Sequence, residues 1–171
     1  MEVDMKQKLQ FLCLAGLLAA MSTASVAQVA GDFRSVAGLP TGSLWSAVAT
    51  WETYNGSTWT AATTVPTATA NVTVVNGDTL TLDVSSTFKT LTISSNARLN
   101  PNSVTLGGNI IVNGALALSG TSLTVTGNVA VSGSNASVNF SNTSSKLNFT
   151  GTAQTLTISN GATFQQVGTA T

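Results

Sequence analysis

The chain has 171 residues, equal numbers of acidic and basic side chains, a net charge of zero, one Cys and no His. A neutral chain lacks the basic footprint that nucleic-acid binding requires, so we expect no nucleic-acid partner. Without His, and with Cys13 as its single thiol, the chain lacks the groups for the usual zinc sites and for Ser-His-Asp or Cys-His catalysis. We therefore expect no metal and no cofactor.

The N-terminal segment, residues 1–27, has the pattern of a secretory signal peptide. Lys6 and Lys8 provide its positive charge, and an apolar run of eleven residues, Phe11 to Met21, follows them. Ser25-Val26-Ala27 then places small residues before a cleavage site. The apolar run is shorter than the roughly 20 residues that a transmembrane helix needs. The sequence predicts cleavage after Ala27, a protein that is secreted or held at the cell surface, and no membrane span in the mature chain.

The next segment, residues 28–70, is distinguished by its aromatic side chains. It holds all three Trp of the chain and its only Tyr, at Trp45, Trp51, Tyr54 and Trp59. If packed, these rings would cap the repeats that follow, whose first backbone edge must be covered. If exposed, they would stack on sugar faces, because such rings combine an apolar face with a polar group. The sequence therefore predicts an N-terminal cap, with ligand binding by the four rings as the alternative.

Residues 71–171 carry a repeated turn signal. In five places a turn-forming pair precedes a small residue, and an apolar residue usually follows two places on; the small residues are at positions 78, 97, 115, 136 and 162. These positions are spaced by 19, 18, 21 and 26 residues. Between them, apolar residues alternate with Thr, Ser or Asn, as they do in strands. A turn signal with a period near 20 residues indicates a solenoid in which each repeat forms one coil.

Two stretches of the repeats align without a gap. Leu91–Leu99 matches Leu156–Phe164 at an offset of 65 residues, or three coils. In the coils between them the apolar pattern shifts by one residue, and the inner positions fall to Ile110 and Val112, and then to Val129 and Val131. Bulges or altered corners would absorb that shift. The offset favours a parallel coil stack over an antiparallel sandwich, so we predict an all-β, parallel β-solenoid of about five coils. The side chains predicted to face inward are Leu91, Ile93, Leu156 and Ile158.

The start of the mature chain resembles that of large secreted proteins of Bacteroidetes-type bacteria. Two stretches carry the resemblance, Gly31-Asp32-Phe33-Arg34-Ser35-Val36-Ala37 and Ala49 to Trp59. A "W-x-x-x-x-T-W" pattern, from Trp45 to Trp51, leads through Pro66 into Val72-Thr73-Val74-Val75-Asn76-Gly77-Asp78-Thr79-Leu80-Thr81-Leu82. More loosely, the chain is similar to the eight-glycine domain of fibrocystin-like surface proteins. The resemblance covers residues 31–99 best. It implies a right-handed parallel β-helix, often in proteins exported for surface display, and it brings no catalytic residues.

The few charged side chains argue against catalysis. A glycosidase needs two carboxyl groups about 5–10 Å apart. Asp78 and Asp83 form the one close pair in the sequence, and their odd separation along a strand directs them to opposite faces. Arg98 follows the second turn as Thr79 follows the first, so we expect the two about 4.8 Å apart along the stack, with Arg98 and Asp78 as a surface ion pair. We predict that the chain is not an enzyme.

A flat ladder of Thr side chains would suggest ice binding. Counted back from the turns, equivalent positions in the five coils hold Asn71/Thr73, Thr90/Thr92, Gly108/Ile110, Val129/Val131 and Thr155/Thr157. The ladder breaks in the two middle coils, so the sequence does not favour ice binding.

These observations predict a secreted, adhesin-like structural module, with a carbohydrate-binding module that uses the Trp/Tyr cluster as the alternative. The expected partners are polysaccharides or other cell-surface molecules. The last coil, Leu156 to Phe164, is followed by seven residues without charged or aromatic side chains. Such a segment is too short and too plain to cover the end of a solenoid. We therefore expect the repeats of residues 71–171 to be incomplete at their C-terminal end and residues 28–171 to self-associate through that coil.

Overall fold

The computed structural model describes residues 27–166, so the predicted signal peptide lies outside this part except for Ala27. The described residues form an all-β solenoid of about four turns built from stacked parallel coils. The predicted fold class is therefore confirmed. The turn count is slightly below the five coils predicted from the sequence.

The strands, numbered in chain order, belong to two sheets. Sheet A contains β1 (Phe33–Ser35), β3 (Trp51–Tyr54), β4 (Trp59–Ala61), β5 (Asn71–Val74), β7 (Ser86–Ile93), β9 (Val104–Val112), β11 (Ser122–Val125), β12 (Val129–Ser132), β14 (Lys146–Phe149) and β15 (Leu156–Ser159). Sheet B contains β2 (Ser43–Leu44), β6 (Thr79–Leu82), β8 (Arg98–Pro101), β10 (Ala115–Leu118), β13 (Ser137–Phe140) and β16 (Thr163–Gln166). A short 3-10 helix, Val48–Thr50, precedes β3.

Strands of successive turns pair in parallel, which excludes the antiparallel sandwich for the repeats. One ladder in sheet A joins Leu91 to Ile110, then Val129, then Leu156. The two stretches that align in sequence thus occupy equivalent places three coils apart, as predicted. Val112 and Val131 continue the neighbouring inner ladder from Ile93 to Ile158.

The core fills the space between the two sheets, because every second residue of each strand points inward. Leu91 and Ile93 are completely buried, whereas Leu156 and Ile158 are 39% and 45% exposed. All four lie on the inner ladders, in line with the predicted inward orientation, but only the first pair is buried. β15 pairs with β12 on one side, and no strand within residues 27–166 covers its other side.

The corners between the two sheets are lined by stacked small residues. The amide of the residue that follows each corner donates a hydrogen bond of 2.8–3.0 Å to the carbonyl oxygen of the corner residue one coil earlier. The corner residues are, in order, Asp78, Ala97, Gly114, Ala136 and Ala162. The sequence had placed the third member at residue 115, and the structure corrects this to Gly114. A Cβ atom on Gly114 would lie 2.3 Å from the carbonyl oxygen of Ala97, so only glycine fits at this close approach.

The corner after Val112 is shorter than the corner after Ile93, and the corner after Val131 is longer, so a count back from the corners misplaces the outer rows of sheet A. One outer row holds Asn71, Thr90, Asn109, Asn128 and Thr155. The next outer row holds Thr73, Thr92, Ile111, Ala130 and Thr157. The sequence count was therefore wrong by one residue in the middle coils, where it placed Ile110 and Val129 outside. Ile111 and Ala130 interrupt the Thr row in the middle coils, so this face is not the continuous Thr surface that ice binding would need.

The segment of residues 28–70 contributes a partial coil and a hairpin. β1 and β2 lie parallel to the first full coil, with Phe33 opposite Val72 and Ser43 opposite Leu80. On its other side, β1 pairs antiparallel with β3, and β3 pairs with β4. The hairpin thus extends sheet A at the N-terminal end, as expected for a cap.

Between residues 27 and 166 there is no helix of the length and apolarity needed to cross a membrane.

Candidate functional site

The hairpin of β3 and β4 presents two aromatic rings beside each other. Tyr54 and Trp59 are directly paired across the hairpin. The connecting turn forms because the side-chain oxygen of Asn55 accepts hydrogen bonds from the amides of Ser57 and Thr58, at 3.0 and 2.9 Å. Such an Asx turn is a local sequence effect, so the position of the two rings is determined largely by this short segment.

Trp45 and Trp51, in contrast, are core residues. They are 0% and 1% exposed, and their rings meet edge to face at a centroid distance of 4.7 Å. The indole N–H of Trp51 donates to the carbonyl oxygen of Trp45 at 2.9 Å. The indole N–H of Trp45 is buried without a partner among the described residues. These two of the four predicted ligand-binding residues therefore have the packing expected of a cap and offer no surface to a ligand.

Tyr54 and Trp59 are half-buried and remain accessible in part. Their ring centroids lie 5.3 Å apart, and the ring planes are inclined by 50°. The pair is therefore not a flat platform on which successive sugar rings would stack. Of the four predicted rings, these two are the ones that the structure brings to a surface.

Arg34 is held over the ring of Trp59. Its Nε donates to the Glu52 carboxylate at 2.7 Å, and its guanidinium carbon lies 4.5 Å from the ring centroid. Arg34 and Glu52 are opposite each other on β1 and β3, so the strand register creates the ion pair. A stacked guanidinium with a carboxylate partner is orientated with little remaining freedom. The Arg34 side chain is 36% exposed and therefore still reaches solvent.

A groove of about 340 Å³ lies beside this cluster on the outer face of sheet A. Its lining includes Gln28, Asp32, Phe33, Arg34, Trp59, Asn71, Thr73, Val75, Thr90, Thr92 and Ile111. The volume is within the range of small-ligand sites, and the lining combines two aromatic residues, Phe33 and Trp59, with several polar groups. Within residues 27–166, no hydrogen bond engages the hydroxyls of Thr73, Thr90 and Thr92.

The carboxylate of Asp32, at one side of the groove, serves the backbone. It accepts hydrogen bonds from the amide of Val29 at 2.8 Å, from the amide of Asn71 at 3.1 Å and from the side-chain amide of Asn71 at 3.0 Å. It is largely buried. Asp32 thus joins the partial coil to the first full coil and adds a negative charge to the groove wall.

Asp78 is a buried anchor and not the surface partner of Arg98 that the sequence predicted. Its carboxylate accepts hydrogen bonds from the Ser35 hydroxyl at 2.6 Å and from the amides of Gly38 and Leu39 at 3.1 and 3.3 Å. Thr79 and Arg98 are neighbours along the stack, as expected, but Arg98 Nε donates to Asn100 at 2.8 Å. The Asp78 side chain turns inward because the partial coil supplies three donors at this corner.

Asp83, the other carboxylate of the predicted close pair, lies at the opposite end of β6. Burial alone would raise its pKa, but hydrogen bonds from the hydroxyl and the amide of Ser46, at 2.5 and 3.0 Å, outweigh burial and lower the pKa. Asp78 and Asp83 are thus separated by the strand and engaged in different contacts. In the described part of the chain, no group of three or more acidic or thiol side chains could hold a metal ion.

Sequence reasoning found the rings of the hairpin but missed Arg34, Thr73 and Thr92 as members of the same surface. Each is an ordinary outward-facing strand residue in the sequence. The register of β1, β5 and β7 brings them into one row, with Arg34 opposite Thr73 and Thr73 opposite Thr92. The alternation of Thr with apolar residues signalled an outer face, but it did not indicate which coils would be neighbours of the hairpin.

Comparisons of this chain with protein-family models, curated proteins and solved structures give no match.

Proposed function

We propose that the mature chain is an adhesin-like structural module displayed outside the cell, without catalytic activity. The observation that supports this is the engagement of its buried polar side chains. Asp32, Ser35, Thr50 and Asp78 all form hydrogen bonds to neighbouring segments of the solenoid. These groups stabilise the stack and leave its outer faces for contact with a partner, which is how solenoids commonly bind.

Attachment and hydrolysis assays test the structural role. Beads coated with residues 28–171 should retain polysaccharides or cells, and beads coated with a heat-unfolded sample should not. Incubation of the soluble protein with the same polysaccharides should release no reducing ends. Release of reducing sugar that depends on the folded protein would contradict the non-catalytic proposal.

Export is proposed from residues 1–27 alone, whose charged start, apolar run and small residues match a signal peptide. Expression of the full chain in a secreting bacterial host should give protein outside the cytoplasm that begins at Gln28. N-terminal sequencing of the exported protein measures this. Recovery of Lys6 and Lys8 on that material would show that the segment is not cleaved.

Carbohydrate binding is the second candidate function, and the observation that favours it is the half-buried ring of Trp59 in the wall of the polar groove. The guanidinium carbon of Arg34 lies 4.5 Å from the centroid of this ring, and the groove is lined by Asp32, Asn71 and three Thr side chains as well. Replacement Trp59→Ala should abolish retention of polysaccharides in the bead assay while leaving the fold intact. If retention is unchanged, the hairpin rings do not form the binding surface.

We also propose that the last coil associates with a second copy of the chain. Leu156, Ile158 and Phe164 are 39%, 45% and 42% exposed, although they continue ladders that are buried in the preceding coils. Within residues 27–166, β14, β15 and β16 pair on one side only, and the identical edges of two copies can pair across a two-fold axis.

Sedimentation velocity over a range of concentrations tests this association. We expect Ile158→Lys to shift residues 28–171 toward the monomer, because the charge would be placed in the contact. Thr157→Lys is the matched control, since Thr157 lies on the outer row of the same strand. A wild-type sample that stays monomeric at high concentration would refute the proposal.

A further inference from the structure

We infer that the groove beside Arg34 binds a short neutral oligosaccharide lying across β1, β5 and β7. This inference rests on the carbohydrate-binding proposal and adds the contact residues, the direction of the ligand and its charge class. Three features of the groove support it: an orientated guanidinium, a row of free hydroxyls, and charges that sum to zero.

The guanidinium of Arg34 is ready to donate hydrogen bonds. The Glu52 carboxylate accepts a hydrogen bond from Arg34 Nε, and the guanidinium carbon lies 4.5 Å from the centroid of the Trp59 ring. Among residues 27–166, no acceptor engages its two Nη groups. Because the side chain is already orientated, little conformational entropy is lost when those groups bind a hydroxyl oxygen of a ligand.

The hydroxyl row continues from Arg34 across the strands. Thr73 and Thr92 follow Arg34 in register, and Ile111 ends the polar part of the row. The spacing between neighbouring strands makes the distance from Arg34 to Ile111 roughly 14 Å. Thr90 lies beside this row, two places before Thr92 on the same strand. Hydroxyls can both donate and accept, which suits the hydroxyl groups of a sugar. The row therefore matches a short ligand perpendicular to the strands.

The charges around the groove favour a neutral ligand. Asp32 and Gln28 both line the groove, and Glu52 pairs with Arg34. In the chain that begins at Gln28, the α-amino group and the Arg34 guanidinium therefore balance the two carboxylates. An acidic sugar would approach two carboxylates without a net positive charge to compensate, and like-charge contacts weaken binding. Neutral sugars bear no such cost and can use the same donors and acceptors.

Titration of folded residues 28–171 with oligosaccharides tests the inference. The probes are neutral cello-, xylo- and manno-oligosaccharides and an oligogalacturonate of the same length. Binding is followed by calorimetry and by tryptophan fluorescence, because Trp59 is the Trp at the surface while Trp45 and Trp51 are buried. We expect at least one neutral probe to bind, and the double substitution Thr73→Val and Thr92→Val to weaken it on the order of tenfold, as the loss of two hydrogen bonds implies.

The matched control is Thr157→Val, which removes an outer hydroxyl from the same row outside the groove and should leave affinity unchanged. If Trp59→Ala abolishes binding but the double Val variant does not affect it, the groove inference is wrong and the aromatic pair alone binds the sugar. Tighter binding of oligogalacturonate would overturn the charge argument. Absence of binding by every neutral probe would overturn the inference and the carbohydrate-binding proposal together, while the adhesin-like structural proposal would still be decided by the bead assay.

Discussion

The two ends of the solenoid differ although their sequences follow the same pattern. At the N-terminal end, the β3–β4 hairpin extends sheet A, and Trp45 and Trp51 are buried against the first coils. At the other end of the described chain, Leu156 occupies the same ladder as Leu91, yet it is 39% exposed while Leu91 is fully buried. Equal residues in equivalent places therefore differ in burial because one has a coil on both sides and the other on one side.

Closure of a solenoid end is therefore a property separate from the repeat itself. A repeat specifies the coil, and a further segment must cover the last backbone edge and the apolar cross-section. At the N-terminal end, an aromatic segment outside the repeat pattern covers the apolar cross-section with Trp45 and Trp51, although β2 and β4 each pair on one side only among residues 27–166. Substitution of a residue at the N-terminal end or in the interior should therefore have a different effect from substitution of a counterpart that lacks the same cover.

The largest effect is expected for the aromatic cap. Trp51→Ala should lower the free energy of unfolding by about 3–5 kcal/mol, because it removes a buried ring and leaves a cavity next to Trp45. Trp59→Ala, on the same hairpin but at the surface, should cost far less. Urea denaturation followed by circular dichroism measures both. Similar losses in the two variants would show that the cap does not depend on the buried rings.

The second comparison is between equivalent leucines. Leu91→Ala should cost about 2–5 kcal/mol, as expected for a fully buried side chain. Leu156→Ala should cost clearly less, because the native side chain already contacts solvent. Thr92→Ala and Thr157→Ala, on the outer row, serve as controls with small effects. Native-state hydrogen exchange would locate the changes, since solenoid coils can open separately. Equal costs for the two leucines would indicate that the last coil is covered in solution.

The third prediction concerns the anchor of the partial coil. Asp78→Ala should destabilise the protein by about 1–3 kcal/mol, because Ser35 and the amides of Gly38 and Leu39 would lose their buried acceptor. Asp83→Ala, at the more exposed end of β6, is the comparison and should have a smaller effect. The free energy of unfolding at neutral pH distinguishes them. If Asp83→Ala proves the more damaging, the buried network is not what attaches the partial coil.

The smallest effect is a pH dependence from Asp83. Its pKa is lowered in the folded protein, so its contribution to stability is fully present above the unfolded pKa of about 4 and is lost as the pH falls through the lower folded value. Because the group is largely exposed, the contribution should be well under about 1 kcal/mol. Ser46→Ala deletes the hydroxyl donor but keeps the amide donor, so it should reduce this acid dependence in thermal melts, and Ser57→Ala should not. A Ser46→Ala profile identical to the wild type would contradict the assignment.

Much of the fold followed from local signals. The turn at Asn76-Gly77 and the one at Ser95-Asn96 use residues that tolerate a positive φ, and Gly77 and Asn96 indeed have φ values of 88° and 58°. The alternation in β5 and β7 predicted their inner and outer faces, which the burial pattern confirms. The corner at Gly114 was misplaced by one residue, because the number of residues in a corner depends on how closely two coils approach.

The sequence by itself determined the β-solenoid and the approximate length of its repeat, since both arise from turn chemistry and from the period-2 alternation that each segment carries locally. The tertiary structure alone decided which side chains meet across coils. It placed Asp78 among donors from residues 35–39, joined Arg34 to Glu52 and Trp59, and aligned Arg34 with Thr73 and Thr92. It also separated Trp45 and Trp51, which are buried, from Tyr54 and Trp59, which reach the surface. These contacts join residues far apart in the chain, so they depend on the pairing register between strands, and no local pattern encodes that register.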